Sequence, residues 1–202
     1  MKKLHILGLA LVAMFAFAAV AAGSASATEW LVSGAAAPAG SATTSTGSIE
    51  LEDMTLGASV KCTTTTDEGT VGAGAADTVT KVTFAGCTSP KGCTSVDNVE
   101  AIHLPWTTTA SGTAPSFKDT ISEKGTGGAP GYLIECVSAG LLLDDSCTKA
   151  TANVEVKNLT SSVEALFNTE EEAKCSLGGE KAGLVHGSEV ISATGGLTLA
   201  LN

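Results

Sequence analysis

The chain has 202 residues and a formal net charge of −10 at pH 7, with Lys+Arg 11 against Asp+Glu 21. Every basic residue is a lysine, and a chain this acidic and without arginine is poorly suited to nucleic acid or an anionic membrane surface. Aromatic residues make up only 4%, so a core must come from Val, Leu, Ile and Ala, and a core that thin profits from covalent cross-links.

Residues 1–27 open with Lys2 and Lys3, continue as an apolar run from Leu4 to Gly23, and end on small side chains, Ser24 to Ala27. This is the three-part pattern of a secretory signal peptide, with the cut expected between Ala27 and Thr28. The competing reading is a permanent anchor, since the run is about long enough to cross a bilayer. The Ala-x-Ala end at Ala25 and Ala27 and the polar segment beyond it favour cleavage. The expected location is secreted or extracellular, with retention at the cell surface open and no stable membrane insertion after cleavage.

Residues 28–47 are expected to form one short strand, Thr28 to Val32, followed by a link rich in Gly, Ala, Ser and Thr. Residues 48–202 are expected to form the main β-rich domain. Ile49 and Leu51 alternate with Glu50 and Glu52, and Leu56, Ala58, Val60 and Cys62 keep the period of two that marks a half-buried strand. Further strands are expected at Glu68 to Val71, Thr78 to Phe84, Val99 to Trp106 and Ser116 to Ile121, the last two paired across Ser111-Gly112. Gly125 to Gly131 is a loop by composition. Tyr132 to Val137 and Leu141 to Leu143 flank Ala139-Gly140, and Ala152 to Val156 and Ser162 to Phe167 suggest a hairpin. Leu184 to Val185, Glu189 to Ile191 and Leu197 to Leu201 close the chain. Only Thr169 to Lys174 has any helical character. Many short strands with frequent turns predict an all-β fold, an antiparallel sandwich or barrel-like domain. Lys61-Cys62 followed by Gly69-Thr70-Val71-Gly72 is echoed by Lys174-Cys175 followed by Gly183 to Gly187, which raises two weakly repeated halves, 48–125 and 126–202.

The six cysteines all follow the signal segment, and an even number in an oxidising compartment predicts three disulfides. Sequence does not fix their pairing. The arrangement expected is Cys87–Cys93 and Cys136–Cys147 across short loops, with Cys62–Cys175 tying the early strands to the late ones. Their spacings do not match the tight knuckles of structural zinc.

Glu29-Trp30-Leu31-Val32, Leu51-Glu52-Asp53, Val60-Lys61-Cys62, Gly69-Thr70-Val71-Gly72, Leu104-Pro105-Trp106, and Gly128 to Tyr132 followed by Glu135-Cys136 resemble a family of exported actinobacterial proteins of unknown function. The resemblance implies export and a shared fold. It brings no activity and no functional residues.

No catalytic set, cofactor loop or metal set stands out. His103 and His186 are the histidines outside the signal segment, and neither lies in a hydrolase or metalloprotease motif. Asp144-Asp145 and Glu170 to Glu172 are adjacent runs, and neighbouring strand residues face opposite ways, so they are expected to solvate turns or to bind Ca²⁺ loosely, without an EF-hand pattern. Asn158-Leu159-Thr160 matches a glycosylation sequon. Trp30, Trp106 and Tyr132 are the candidates for a ligand or partner surface, against the alternative that they fill the core. The function expected is non-enzymatic, a binding or structural role outside the cell or in its envelope. The partner would be an unknown envelope protein or glycan, carried on loops such as Gly125 to Gly131 and Ser111 to Ser116. The alternatives are a hydrolase with a scattered active site and a subunit that self-associates through an edge strand such as Gly196 to Asn202.

Overall fold

The computed structural model describes residues 27–168 and 172–202. The signal segment, apart from Ala27, lies outside the described residues, as do 169–171 of the segment expected to have helical character. The last two residues of that segment, Ala173 and Lys174, belong to a strand, Ala173–Cys175.

The chain is all-β and antiparallel. In order it forms β1 (Trp30–Val32), β2 (Ala35–Ala36), β3 (Ser41–Asp53), β4 (Ala58–Val71), β5 (Ala76–Lys91), β6 (Ser95–Ile102), β7 (Trp106–Thr113) and β8 (Ser116–Glu123). There follow β9 (Gly131–Ser138), β10 (Leu141–Thr148), β11 (Thr151–Asn158), β12 (Val163–Asn168), β13 (Ala173–Cys175), β14 (Gly179–Ala193) and β15 (Leu199–Leu201).

Eight of these strands close a ring. β3 pairs with β4, β4 with β5, β5 with β7, β7 with β8, β8 with β11, β11 with β12, β12 with β14, and β14 returns to β3. Closure removes the open sheet edges that invite aggregation. β14 also leaves the ring. Its residues 186–191 face β12, while residues 179–183 face β13, from which β10, β9 and β6 continue as a second sheet. β6 comes back to pack beside β5 without a hydrogen-bonded ladder. β3, β4 and β14 thus run through both parts. The ring draws on strands from both sides of residue 125. In the internal echo, Lys61-Cys62 and Gly69 share one strand, whereas Lys174-Cys175 and Gly183 lie on two.

Curvature comes from bulges, which bend a strand and add twist. One lies between Gly47 and Ile49 on β3, and another opposite Glu68 and Gly69 on β4, where Thr80 Oγ1 donates to Glu68 O at 2.9 Å. Gly47 is required by close approach: a Cβ there would meet Ser188 O at 2.0 Å and Glu189 Cγ at 2.7 Å.

The upper end of the ring is closed by a small sheet of β15, β1 and β2. Trp30, Leu199 and Leu201 pack down onto Val71, Phe117 and Val163. Burying each large apolar side chain contributes about 1.5–3 kcal/mol. Residues 28–29 and Asn202 are pinned here, since Asn202 Oδ1 accepts from Glu29 N at 3.0 Å and Thr28 Oγ1 donates to Gly112 O at 2.6 Å. The outer edge of β15 is not open. Leu201 N donates to Asn158 Oδ1 at 2.8 Å and Asn158 Nδ2 donates to Leu201 O at 2.7 Å, so one side-chain amide mimics a neighbouring strand. The edge expected to drive self-association is covered in this way, and the sequon asparagine is occupied.

The second core lies below, around Ile49, Leu51, Val60, Tyr132 and Ile134. It contains the disulfides, and their pairing differs from all three expected. The bridges are Cys62–Cys87, Cys93–Cys136 and Cys147–Cys175. Cys62 and Cys87 are directly opposed on β4 and β5, as are Cys147 and Cys175 on β10 and β13, with Cα separations of 3.9 and 4.0 Å. Cys87 is taken by Cys62 opposite it, and β5 runs on to Lys91 before the chain turns at Gly92 and brings Cys93 to β9 and Cys136. Cys136 faces Leu143 in the β9–β10 ladder, while Cys147 faces Tyr132 at its far end. Between Cys62 and Cys175 stand β3 and β14.

The link expected at 34–47 is mostly strand: β2 and the first half of β3 occupy it. The strand expected at 99–106 is two. β6 pairs with β9, and only β7, beginning at Trp106, forms the hairpin with β8.

Candidate functional site

Strand alternation turns every second residue of the ring inward. On β3 these are Thr43, Ser45 and Gly47; on β4, Thr65 and Asp67; on β5, Asp77; on β7, Trp106 and Thr108; on β8, Asp119 and Ile121; on β14, Glu189 and Ile191. The middle of the ring is therefore a polar belt between two apolar cores. It holds four carboxyl groups.

Register brings the carboxyls together in pairs. Ser45 is directly opposite Asp67, and Gly47 opposite Glu189. The Glu189 side chain lies across Gly47 and its Oε2 accepts from Ser45 Oγ at 2.9 Å, with Asp67 beside it. Across the ring, Asp77 faces Thr108, and Asp119 reaches the same spot from β8. Glu189 is 4% and Asp119 8% exposed.

Burial sets their chemistry, because a charge in apolar surroundings loses its hydration. Burial, with Asp67 as hydrogen-bond neighbour and like charge, pushes Glu189 up to about 9. Burial and then the charge of Asp119 push Asp77 up to about 9. Burial raises Asp119 to about 6, and it raises Asp67 as well. Among the described residues, none of the four meets a lysine or histidine in an ion pair. Oδ1 of Asp67, of Asp77 and of Asp119 and the hydroxyl of the fully buried Thr65 have no hydrogen-bond partner. With the hydroxyl of Thr108, which also lacks a partner, that makes five in one belt, and since buried polar atoms are normally satisfied this is an anomaly that calls for a reason.

Two cavities adjoin the belt. The first has a volume of about 140 Å³ and is lined by Thr65, Asp67 and Glu189 together with apolar side chains such as Ile49, Phe84 and Trp106. The second, of about 90 Å³, is lined by Asp67, Asp77, Thr108 and Asp119. They share Asp67, Trp106, Ile121, Val154 and Phe167 as a common wall. The β5–β7 ladder ends at Val79 and Trp106. Below it, Val82 and Phe84 of β5 border the first cavity without a hydrogen-bonded neighbour from β7.

Of the three candidates for a ligand or partner surface, two take the alternative place in the core. Trp30 is fully buried under the small sheet. Tyr132 is 6% exposed, and its hydroxyl donates to Glu52 O at 3.1 Å and Leu184 O at 3.3 Å. It forms part of the lower wall of the first cavity. Trp106 is half-buried, its indole N–H donates to Ile102 O at 3.0 Å, and it lines both cavities.

Asp144 and Asp145 lie in strand β10 and not in the expected turn; Asp144 is exposed, while Asp145 is buried and faces Asp53. Asp145 Oδ1 accepts from Ser176 Oγ and Leu177 N, both at 2.9 Å. Ligand atoms of Asp53, Asp145, Cys147 and Cys175 lie within 4.8 Å of one another, but both sulfurs are committed to a disulfide and cannot ligate as thiolates. His103 is exposed and its Nδ1 is 2.7 Å from Ala129 O. His186 Nε2 lies 3.5 Å from Glu52 Oε2, on the outward side of β14 and β3, and neither residue lines either cavity.

The polar belt escaped sequence reading. Asp67, Asp77, Asp119 and Glu189 sit far apart in the chain. The only available signal was their place in strands at inward positions, which needs the register. No family model, no curated protein and no solved structure matches this chain.

Proposed function

We propose that the protein is an exported, non-enzymatic binding protein that takes a small, mainly apolar ligand into the interior of its ring. The observation that carries this reading is the 140 Å³ cavity, walled by apolar side chains and bordered by buried oxygens without partners. Small-molecule sites are concave and mostly apolar, with a few convergent polar groups. An apolar cavity of about 150 Å³ in another protein takes up benzene, so the fitting ligand is about the size of one ring. Entry is between β5 and β7, where the ladder ends. Export agrees with the signal pattern of residues 1–27 and with three disulfides, which persist in oxidising compartments. Among the described residues no helix is long and apolar enough to cross a membrane. An envelope protein or glycan as partner remains compatible with the loops around Gly125 to Gly131, but the interior is the better-formed site. The hydrolase alternative asks for a histidine–carboxylate pair in a cleft, and His186–Glu52 is not in one.

The test is titration of the oxidised mature chain with toluene, indole and benzyl alcohol, followed by tryptophan fluorescence and ligand-observed NMR. Saturable binding with perturbed Trp106 emission is expected. Ile121→Trp, which fills the common wall, should abolish it while far-UV circular dichroism stays unchanged. Absence of saturable binding, or binding unaffected by the filled wall, would overturn the reading. Intact mass of the protein from its host's medium, beginning at Thr28 and six hydrogens lighter than the reduced chain, tests export and disulfides together.

A further inference from the structure

An apolar cavity does not by itself need carboxyl groups. The ring places two pairs of them in its interior, and among the described residues none of the four forms an ion pair with a lysine or histidine. Lys149 lines the lower wall of the first cavity, but its Nζ donates to Glu172 O at 3.2 Å. Glu68, which borders the second cavity, pairs with Lys81 on the outside. Such a group of acids becomes neutral in one of two ways: it holds protons, or it holds a cation brought from outside.

The geometry points to a ligand that carries an amine: a protonated primary amine on a body of about one ring, its ammonium between Asp67 and Glu189 and its body in the first cavity. This rests on the reading that the ring interior is a binding site. Three features select the amine. An ammonium offers three donors and no acceptor, and the open positions on Asp67 Oδ1 and Thr65 Oγ1 are able to accept. Thr65 is fully buried, lines the same cavity as Asp67 and Glu189, and has no other partner there. Trp106 forms part of the same wall, and an indole face attracts a cation within about 6 Å. A carboxylate or phosphate ligand would meet four acids and no arginine.

The empty Asp67–Glu189 pair is neutral with a proton on each acid, and entry of an ammonium then requires it to release one of the two. That proton passes to solvent, so charge balances without any further reactant. Asp77 and Asp119 face the neighbouring cavity and take no part in this exchange.

The experiment compares benzylamine with benzyl alcohol and toluene, which have the same body, by calorimetry on the oxidised mature chain at pH 7. Two buffers of different ionisation enthalpy are used, so that proton release is read directly. Benzylamine is expected to bind at least tenfold more tightly than benzyl alcohol and to release about one proton. Asp67→Asn with Glu189→Gln should remove both the preference and the proton release. If benzyl alcohol and toluene bind but benzylamine is no tighter, the amine inference falls and the interior site stands. If none of the three binds, both fall. If benzylamine is preferred without proton release, or equally by the double variant, the ammonium is not held at this pair and the inference is overturned. The wild-type proton count decides the matter even if the double variant does not fold.

Discussion

Replacing Glu189 by Gln isolates the cost of one buried acid. The glutamine keeps an acceptor for Ser45 Oγ and nearly the same volume, and it cannot ionise. In the folded chain burial holds Glu189 up to about 9, whereas its ordinary value is 4.5. Between these values the folded chain keeps a proton that the unfolded chain has lost. Its stability is therefore full below about pH 4.5 and declines as pH rises toward 9, by about 1.4 kcal/mol per pH unit for each proton involved. Over pH 5 to 8 one proton amounts to about 4 kcal/mol, a large share of an ordinary domain's 5–15 kcal/mol. Asp77 and Asp119 act with the same sign, Asp119 only up to about 6. Subtracting the variant from wild type cancels them. Urea unfolding followed by tryptophan fluorescence, with Trp30 as a fully buried reporter, supplies the two curves. The wild type should lose about one proton's slope more than Glu189→Gln across this window, and the variant should be the more stable at pH 8. Parallel curves, or a wild type that gains on the variant as pH rises, would refute the reasoning.

Non-reducing peptide mapping should recover Cys62–Cys87, Cys93–Cys136 and Cys147–Cys175 as the linked peptides. Removing the Cys93–Cys136 bridge with a double alanine variant should cost about 4 kcal/mol by loop entropy, since it closes the longest of the three loops, read as a shift of the urea midpoint. Gly47→Ala puts a methyl 2.0 Å from Ser188 O, and a shift of that size in a closed ladder should lower stability by more than about 2 kcal/mol, seen as a drop in Tm. Asn158→Ala leaves both Leu201 N and Leu201 O without their partner and should cost about 1–3 kcal/mol, with faster hydrogen exchange at Leu201 N–H as the local sign.

The fold class was readable because outward and inward residues alternate clearly where the inside is apolar, as in Ile49, Leu51 and Val60. The same rule failed between residues 34 and 47 because the inside there is polar. β3 turns Thr43 and Ser45 toward the carboxyl belt, so both faces of the strand look like a linker. The site was illegible for the same reason. Inward acids read as solvated ones unless the register is known, and Asp67, Asp77, Asp119 and Glu189 are joined only through the ring. Cysteine pairing depends on the register too. Two of the bridges join residues that face each other across a ladder, and proximity in the chain is a poor guide to that. Asp144-Asp145 shows the limit on the scale of one dipeptide: alternation correctly sends the two side chains apart, but not which of them goes inside.

The ring is finished by β14, the last of its eight strands in chain order. β14 is the stave that joins β3 to β12, and β15 then lays the last piece of cover beside β1. A growing polypeptide that has reached Cys175 has most of its strands and no closed wall. Contacts this distant in sequence also form slowly. During vectorial synthesis the wall therefore cannot close before β14 has been made.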